Sequence, residues 1–108
     1  MQIEFSTDTS ITRPAGMDDH VRSVVEIGLG RLTERISRVE VHLSDVNRGR
    51  TGPDDKQCMM EARVEGQRPT AVSHRAATYE QAVNGAAHLL QRSLASTLDR
   101  QRDLRRGA

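Results

Sequence analysis

Between Arg38 and Arg106 the spacing of apolar residues changes once, from about two to about 3.6 residues, and this change limits the folds open to the chain. Arg38 to Ser44 alternates, with Val39, Val41 and Leu43 on one side. Lys56 to Glu65 alternates again, with Cys58, Met60, Ala62 and Val64 on one side and Met59, Glu61, Arg63 and Glu65 on the other. Gly66 to Pro69 supplies a turn, and Thr70 to Ala76 reads as a further strand. From Thr78 to about Arg106 the pattern becomes helical, with Tyr79, Val83, Ala86, Leu90, Leu94 and Leu98 in one stripe. Three successive half-buried strands followed by one long amphipathic helix leave a single sheet face to be covered.

The first third supplies the other cover. Residues 2–6 alternate, with Ile3 and Phe5 inward, and predict a short strand. Thr7 to Gly16 reads as loop. Asp18 is the expected N-cap of a helix whose stripe is Val21, Val25, Leu32 and Ile36. Gly28 falls on that stripe, and close packing of helix on sheet is its expected reason. Asp45 to Asp55, rich in Gly, Pro, Asn and Asp, predicts a mobile hairpin loop. The fold class is therefore α+β in the order β-α-β-β-β-α, one four-stranded sheet with two helices packed on one face, as in double-stranded-RNA-binding domains. The opposite face, with Glu4, Glu40, His42, Glu61, Arg63 and Arg75, is expected to be solvated. With 108 residues there is room for one core, and with 35% hydrophobic residues and two aromatics, Phe5 and Tyr79, that core must be aliphatic.

Several function classes find no support in the residues. His20, His42, His74, His88 and Cys58 show no zinc-type spacing, and alternation puts His42 and Cys58 on opposite faces of the sheet, so no metal or other cofactor is expected. The pairs Asp18-Asp19 and Asp54-Asp55 read as helix start and loop turn. A Ser–His–acid triad can be assembled on paper, but no nucleophile elbow or phosphate loop accompanies it, and the expectation is a protein that is not an enzyme. One cysteine allows no internal disulfide, no stretch is apolar enough for a membrane span, and MQIEFSTD lacks the layout of a signal peptide. A soluble cytoplasmic protein is expected.

Charge is unevenly placed. Residues 92–108 hold five arginines against two aspartates, while the chain as a whole carries only +1. In helical projection His88, Arg92, Arg102 and Arg106 line the face opposite the leucines, and Arg100 and Arg105 flank the apolar stripe. Fixed arginines on a rigid rod suit the gripping of phosphate oxygens. The same cations are also favoured at a helix C-terminus with no ligand present, and Asp99 and Asp103 stand within pairing distance along the helix. Charge alone leaves a solvated face and a nucleic-acid surface equally open. The scarcity of aromatic rings weighs against gripping single strands by base stacking.

Motifs on these elements add to that reading. Arg38-Val-Glu-Val-His-Leu-Ser-Asp45, then Asp54-Asp-Lys-Gln-Cys-Met-Met-Glu-Ala-Arg63 with Gly66 and Pro69, then Ala82-Val-Asn-Gly-Ala-Ala-His-Leu-Leu-Gln-Arg-Ser-Leu94 closely resemble the ribosome hibernation-promoting factor and ribosome-associated inhibitor A family. The likeness runs from about Gln2 to Leu98, and its most specific part is the spacing of Gly85, Leu90, Arg92 and Leu94. It implies the same β-α-β-β-β-α fold, a short member without a C-terminal dimerisation domain, and binding to the small ribosomal subunit in the channel used by mRNA and tRNA. It also implies basic residues along both helices that touch rRNA phosphates. Arg92 matches that pattern, and Arg22 and Arg31 are the basic residues available on the first helix. Where the family places lysines, this sequence has Ser23, Glu26, Gly28 and Gly30, and Leu89 replaces the lysine before the second-helix leucine.

The expectation is thus a ribosome-bound inhibitor of translation acting by steric exclusion, a monomer, with no small-molecule substrate and no membrane partner. Residues 1–98 would form the binding domain and 99–108 a basic helix end or tail. The rRNA-binding candidates are Arg92, Arg102, Arg106, Arg100, Arg105, His88, Arg22 and Arg31, the terminal arginines standing in for the missing lysines. Two alternatives are a double-stranded-RNA-binding module acting off the ribosome, and a protein-interaction adaptor using the exposed sheet face through Met59.

Overall fold

The computed structural model describes residues 1–9, 11–46 and 55–106, with the side chains of 101–106 left aside. Strands β1 (Gln2–Thr7), β2 (Ile36–Asp45), β3 (Lys56–Val64) and β4 (Thr70–Ala76) form one sheet in the order β1-β2-β3-β4. β1 runs parallel to β2, and the other pairs are antiparallel. Two parallel neighbours need a crossover, and helix α1 (Met17–Leu29) makes it. Helix α2 (Tyr79–Arg106) lies across β3 and β4 and against α1. The α+β reading with both helices on one face holds.

The alternation seen in the sequence fixes which side each strand buries. Val39, Val41 and Leu43 of β2 and Cys58, Met60, Ala62 and Val64 of β3 lie under the helices, with Val21, Val25 and Leu29 from α1 and Val83, Ala86, Leu90 and Leu94 from α2 above them. Burial of each large aliphatic contributes roughly 1.5–3 kcal/mol. Phe5 and Tyr79 are only partly buried, so the core is aliphatic as composition required. His74 belongs to the inner face of β4 and lies directly over Gly85 of α2. A Cβ on residue 85 would stand 2.6 Å from the His74 Cγ and closer still to its Cδ2 and Nε2. Only glycine lets helix and ring meet there.

Three details of the first helix differ from the sequence expectation. Asp18 is not the N-cap: α1 begins at Met17, preceded by Gly16 in a left-handed conformation with no side-chain cap. Met17 is buried, and anchoring it in the core sets the helix start two residues early. Asp18 and Asp19 sit in the first turn, where the helix dipole favours acids, and Asp18 pairs with Arg13 at 3.1 Å. Leu32 and Ile36 are not on α1, which ends at Leu29. Gly30, at φ 52 and ψ −124, takes a backbone geometry open to few residues but glycine, and a 3₁₀ turn over Gly30–Arg35 leads into β2 at Ile36. Gly28, finally, does not pack on the sheet. It is exposed, and a Cβ there would meet only Ala87 of α2, at 3.8 Å.

The expected hairpin loop between β2 and β3 falls, at residues 47–54, outside the described residues. Its two ends are tied together. Val46 donates its backbone N–H to the Asp55 carbonyl at 2.9 Å, and Lys56 Nζ contacts Asp45 Oδ2 at 2.8 Å and Asp55 Oδ2 at 3.6 Å. Both aspartates are buried, which only a paired cation makes tolerable. Lys56, the chain's single lysine, also stands 5.5 Å above the Tyr79 ring at the start of α2. Its pKa is raised, first by the Asp45 hydrogen bond.

Candidate nucleic-acid interface

The charged residues divide into two sets. Arg13 pairs with Asp18, Arg38 with Glu4 and Glu40, Arg63 with Glu61, and Lys56 with Asp45 and Asp55. By contrast Arg22, Arg31, Arg92 and Arg100 are exposed and have no ion pair among the described residues. Asp99, which helical spacing allows to pair with the second-helix arginines, also has none among them. Arg35, Arg68 and Arg75 share that state, and sequence reasoning did not single them out as binding residues. An exposed guanidinium with no internal acid keeps its full field for an outside anion.

Geometry then separates the candidates. Arg92 and Arg100 lie on one side of α2, about 12 Å apart along its axis, and bound a shallow hollow of about 390 Å³ with Leu89, Ser93, Ser96 and Thr97. Two guanidinium groups at its ends and hydroxyls between them form a strip suited to a phosphate backbone. Thr97 Oγ1 is committed to its own helix, donating to the Ser93 carbonyl at 3.0 Å, which leaves the Ser93 and Ser96 hydroxyls. Arg102, Arg105 and Arg106 continue α2, but their side chains lie outside the described residues. With 28 residues α2 is about 42 Å long and outruns the strands it covers.

His88 does not share that strip. It lines a groove of about 380 Å³ between the two helices, to which α2 also gives Asn84, Ala87 and Gln91. From α1 come Ser23, Val24, Ile27 and Gly28. Since those four face α2, Arg22 points from the opposite side of α1 and is not brought into the Arg92 row. Arg31 sits in the 3₁₀ turn, exposed. The structure thus gathers Arg92 and Arg100, sets His88 beside them, and leaves Arg22 apart. The groove was not read from the sequence. Its one signal was the two-turn spacing of Asn84 and Gln91 with small Ala87 between them.

The outer sheet face carries a hydrogen-bonded chain in which the Ser6 hydroxyl meets His42 Nδ1 at 2.7 Å and His42 Nε2 meets Asp8 Oδ1 at 2.7 Å. Ser6 is in the middle of an extended strand rather than on the strained turn of a nucleophile elbow, and the chain's evident effect is to tie β1 to β2. Met59 is 47% exposed on that face, above an open hollow of about 660 Å³. Cys58, on the other side, is fully buried, and burial pushes its thiol up to about 12, so it is inert rather than nucleophilic. Among the described residues no three His, Cys, Asp or Glu side chains are placed to hold a metal ion. No helix among them is long and apolar enough to cross a membrane.

The sequence profile of the Sigma 54 modulation protein / S30EA ribosomal protein family matches residues 13–102, the greater part of the chain. The chain belongs to this family. As an S30EA-family member it is a ribosome-associated protein with a role in hibernation and translational regulation. Its fold is similar to that of a ribosomal subunit interface protein from Coxiella burnetii, with a TM-score of 0.76 at 10% identity over 92% of this chain and 99% of that one. It is also similar to the N-terminal domain of Thermus thermophilus Protein Y, with a TM-score of 0.66 at 17% identity over 86% and 94%. At these identities the likeness is one of fold. No curated protein matches this S30EA-family chain in sequence. The matched span includes α1, α2 as far as Arg102, and the Arg92–Arg100 strip.

Proposed function

We propose that this protein binds the rRNA of the small ribosomal subunit near the decoding site through its helical face and, by occupying that space, keeps mRNA and tRNA out. The observation that carries the reading is the pair of exposed arginines, Arg92 and Arg100, with no ion pair among the described residues, on a helix of an S30EA-family domain. Residues 1–98 form the binding domain in this reading, and 99–108 extend its basic helix with Arg102, Arg105 and Arg106. Arg22 and Arg31 form a second, separate contact, and His88 borders the first. The protein acts in the cytoplasm, where ribosomes are, as a monomer without cofactor or catalysis.

Phosphate contacts position a protein without reading sequence, so binding should weaken steeply with salt. If each arginine neutralises about one phosphate, reversing the charge of Arg92, Arg102 and Arg106 together should lower the salt slope of small-subunit binding by about 2–3 units. An unchanged slope sinks the assignment of that face. A sucrose-gradient profile of stationary-phase cells should place the protein in small-subunit or whole-ribosome fractions. Retention on free RNA duplexes with none of it on ribosomes favours a duplex-binding module instead, and capture by a protein partner at a salt-independent affinity favours an adaptor.

A further inference from the structure

The groove between α1 and α2 is unlike the arginine strip beside it. Its floor is apolar, with Ala87 at the bottom and Ile27 at the lip, 81% exposed. Its rim consists of hydrogen-bonding groups, among them Asn84 and Gln91, two turns or about 10.5 Å apart on α2. Among the described residues no carboxylate lines it. The Asn84 carbonyl accepts from His20 Nε2 at 3.1 Å, which leaves its NH₂ group as a donor toward a ligand. A phosphate alone has no use for an apolar floor. A flat heterocycle with a polar edge has use for both, and side-chain amides match base edges. The groove's volume, about 380 Å³, lies within the ~300–1,000 Å³ usual for small-ligand sites.

The two rings that could otherwise stack a base are already covered. The Arg13 guanidinium lies 4.4 Å from the Phe5 ring centre, and the Lys56 ammonium 5.5 Å from that of Tyr79. The geometry points to the interhelical groove as a slot for one unpaired RNA base, held between Ile27 and Ala87 and met at its edge by Asn84 and Gln91, with Arg92 beside it for the attached phosphate. The slot adjoins the proposed rRNA surface along α2, its lining residues His88 and Gln91 preceding Leu89 and Arg92 of the strip in the chain, and it rests on that reading. It adds to sequence-blind phosphate binding a contact that selects an unstacked nucleotide.

Gly28→Leu tests the slot. A Cβ there meets only Ala87, at the ordinary contact distance of 3.8 Å, Gly28 is exposed, and leucine favours a helix over glycine, so the variant should fold while its side chain occupies the groove. Small subunits saturated with the wild-type protein are probed with base-specific reagents for all four bases, occupancy being fixed by co-sedimentation. At least one unpaired base should lose reactivity about fivefold or more with the wild type and regain it with Gly28→Leu at equal occupancy. The double variant Asn84→Ala/Gln91→Ala should restore part of that reactivity. Identical footprints for wild type and both variants at equal occupancy overturn the slot and leave the arginine strip standing. Failure of the wild type to bind small subunits at any salt overturns both readings together.

Discussion

Gly85 offers the sharpest quantitative test of how α2 sits on the sheet. In an open helix interior, glycine to alanine stabilises by about 1 kcal/mol. Here the new methyl would fall on the His74 ring, and the ring cannot evade it by turning about its outer bond, because Cγ itself would lie 2.6 Å away. Either His74 leaves its place opposite Cys58 or α2 lifts from β4. Overpacking of this kind costs about 1–3 kcal/mol, so after the helix gain Gly85→Ala should be a net loss of up to about 2 kcal/mol. For a domain near this size that lowers the melting temperature by roughly 4–8 °C per kcal/mol. In a His74→Ala background the obstruction is gone and the same substitution should become stabilising by about 1 kcal/mol. Urea unfolding of the four proteins, followed by far-ultraviolet circular dichroism, gives the cycle directly. A coupling energy of about 1–3 kcal/mol is expected. If Gly85→Ala stabilises equally in both backgrounds, the contact does not hold the helix, and the reasoning fails.

Cys58 should react with a thiol reagent only as fast as the protein opens, because the side chain is fully buried; immediate labelling of the native protein would contradict its placement. Its raised pKa also gives stability a pH dependence. Between the ordinary value of 9.0 and about 12 the unfolded thiol has lost its proton while the folded one keeps it. Stability must therefore fall as pH rises through that window, by on the order of 1 kcal/mol per pH unit, and Cys58→Ala should flatten the slope of the urea midpoint above pH 9. Tyr79, raised chiefly by burial, pushes the same way, and the Lys56 pair is lost as pH climbs through that lysine's raised pKa. Lys56→Met should cost about 2 kcal/mol in thermal unfolding at neutral pH, since it strips a cation from buried Asp45 and Asp55; a change under 0.5 kcal/mol would show that the aspartates find compensation elsewhere.

Part of the candidate interface was legible from residue order. The charged end of α2 and the place of Arg92 opposite the leucines follow from counting along one helix, where geometry is local. That Arg22 stands apart from Arg92 was not legible, because it depends on how α1 is rotated relative to α2. Nor could spacing show that Asp99 leaves Arg92 alone, or that Asp45 and Asp55 converge on Lys56 from opposite ends of a loop.

The sequence by itself determined which side of every strand is buried, the order of the elements and the aliphatic character of the core, because alternation and helical period are properties of single segments. It put Cys58 inward and His42 outward by parity alone. It misread the end of α1, since the 3₁₀ turn and the first residue of β2 keep Leu32 and Ile36 facing the same core and so prolong the apparent stripe. Periodicity reports which way a residue faces and not which chain segment it meets. The parallel pairing of β1 with β2, the seat of His74 on Gly85 and the groove between the helices were decided only by the tertiary structure, because each is made by residues far apart in the chain whose meeting depends on how whole elements pack.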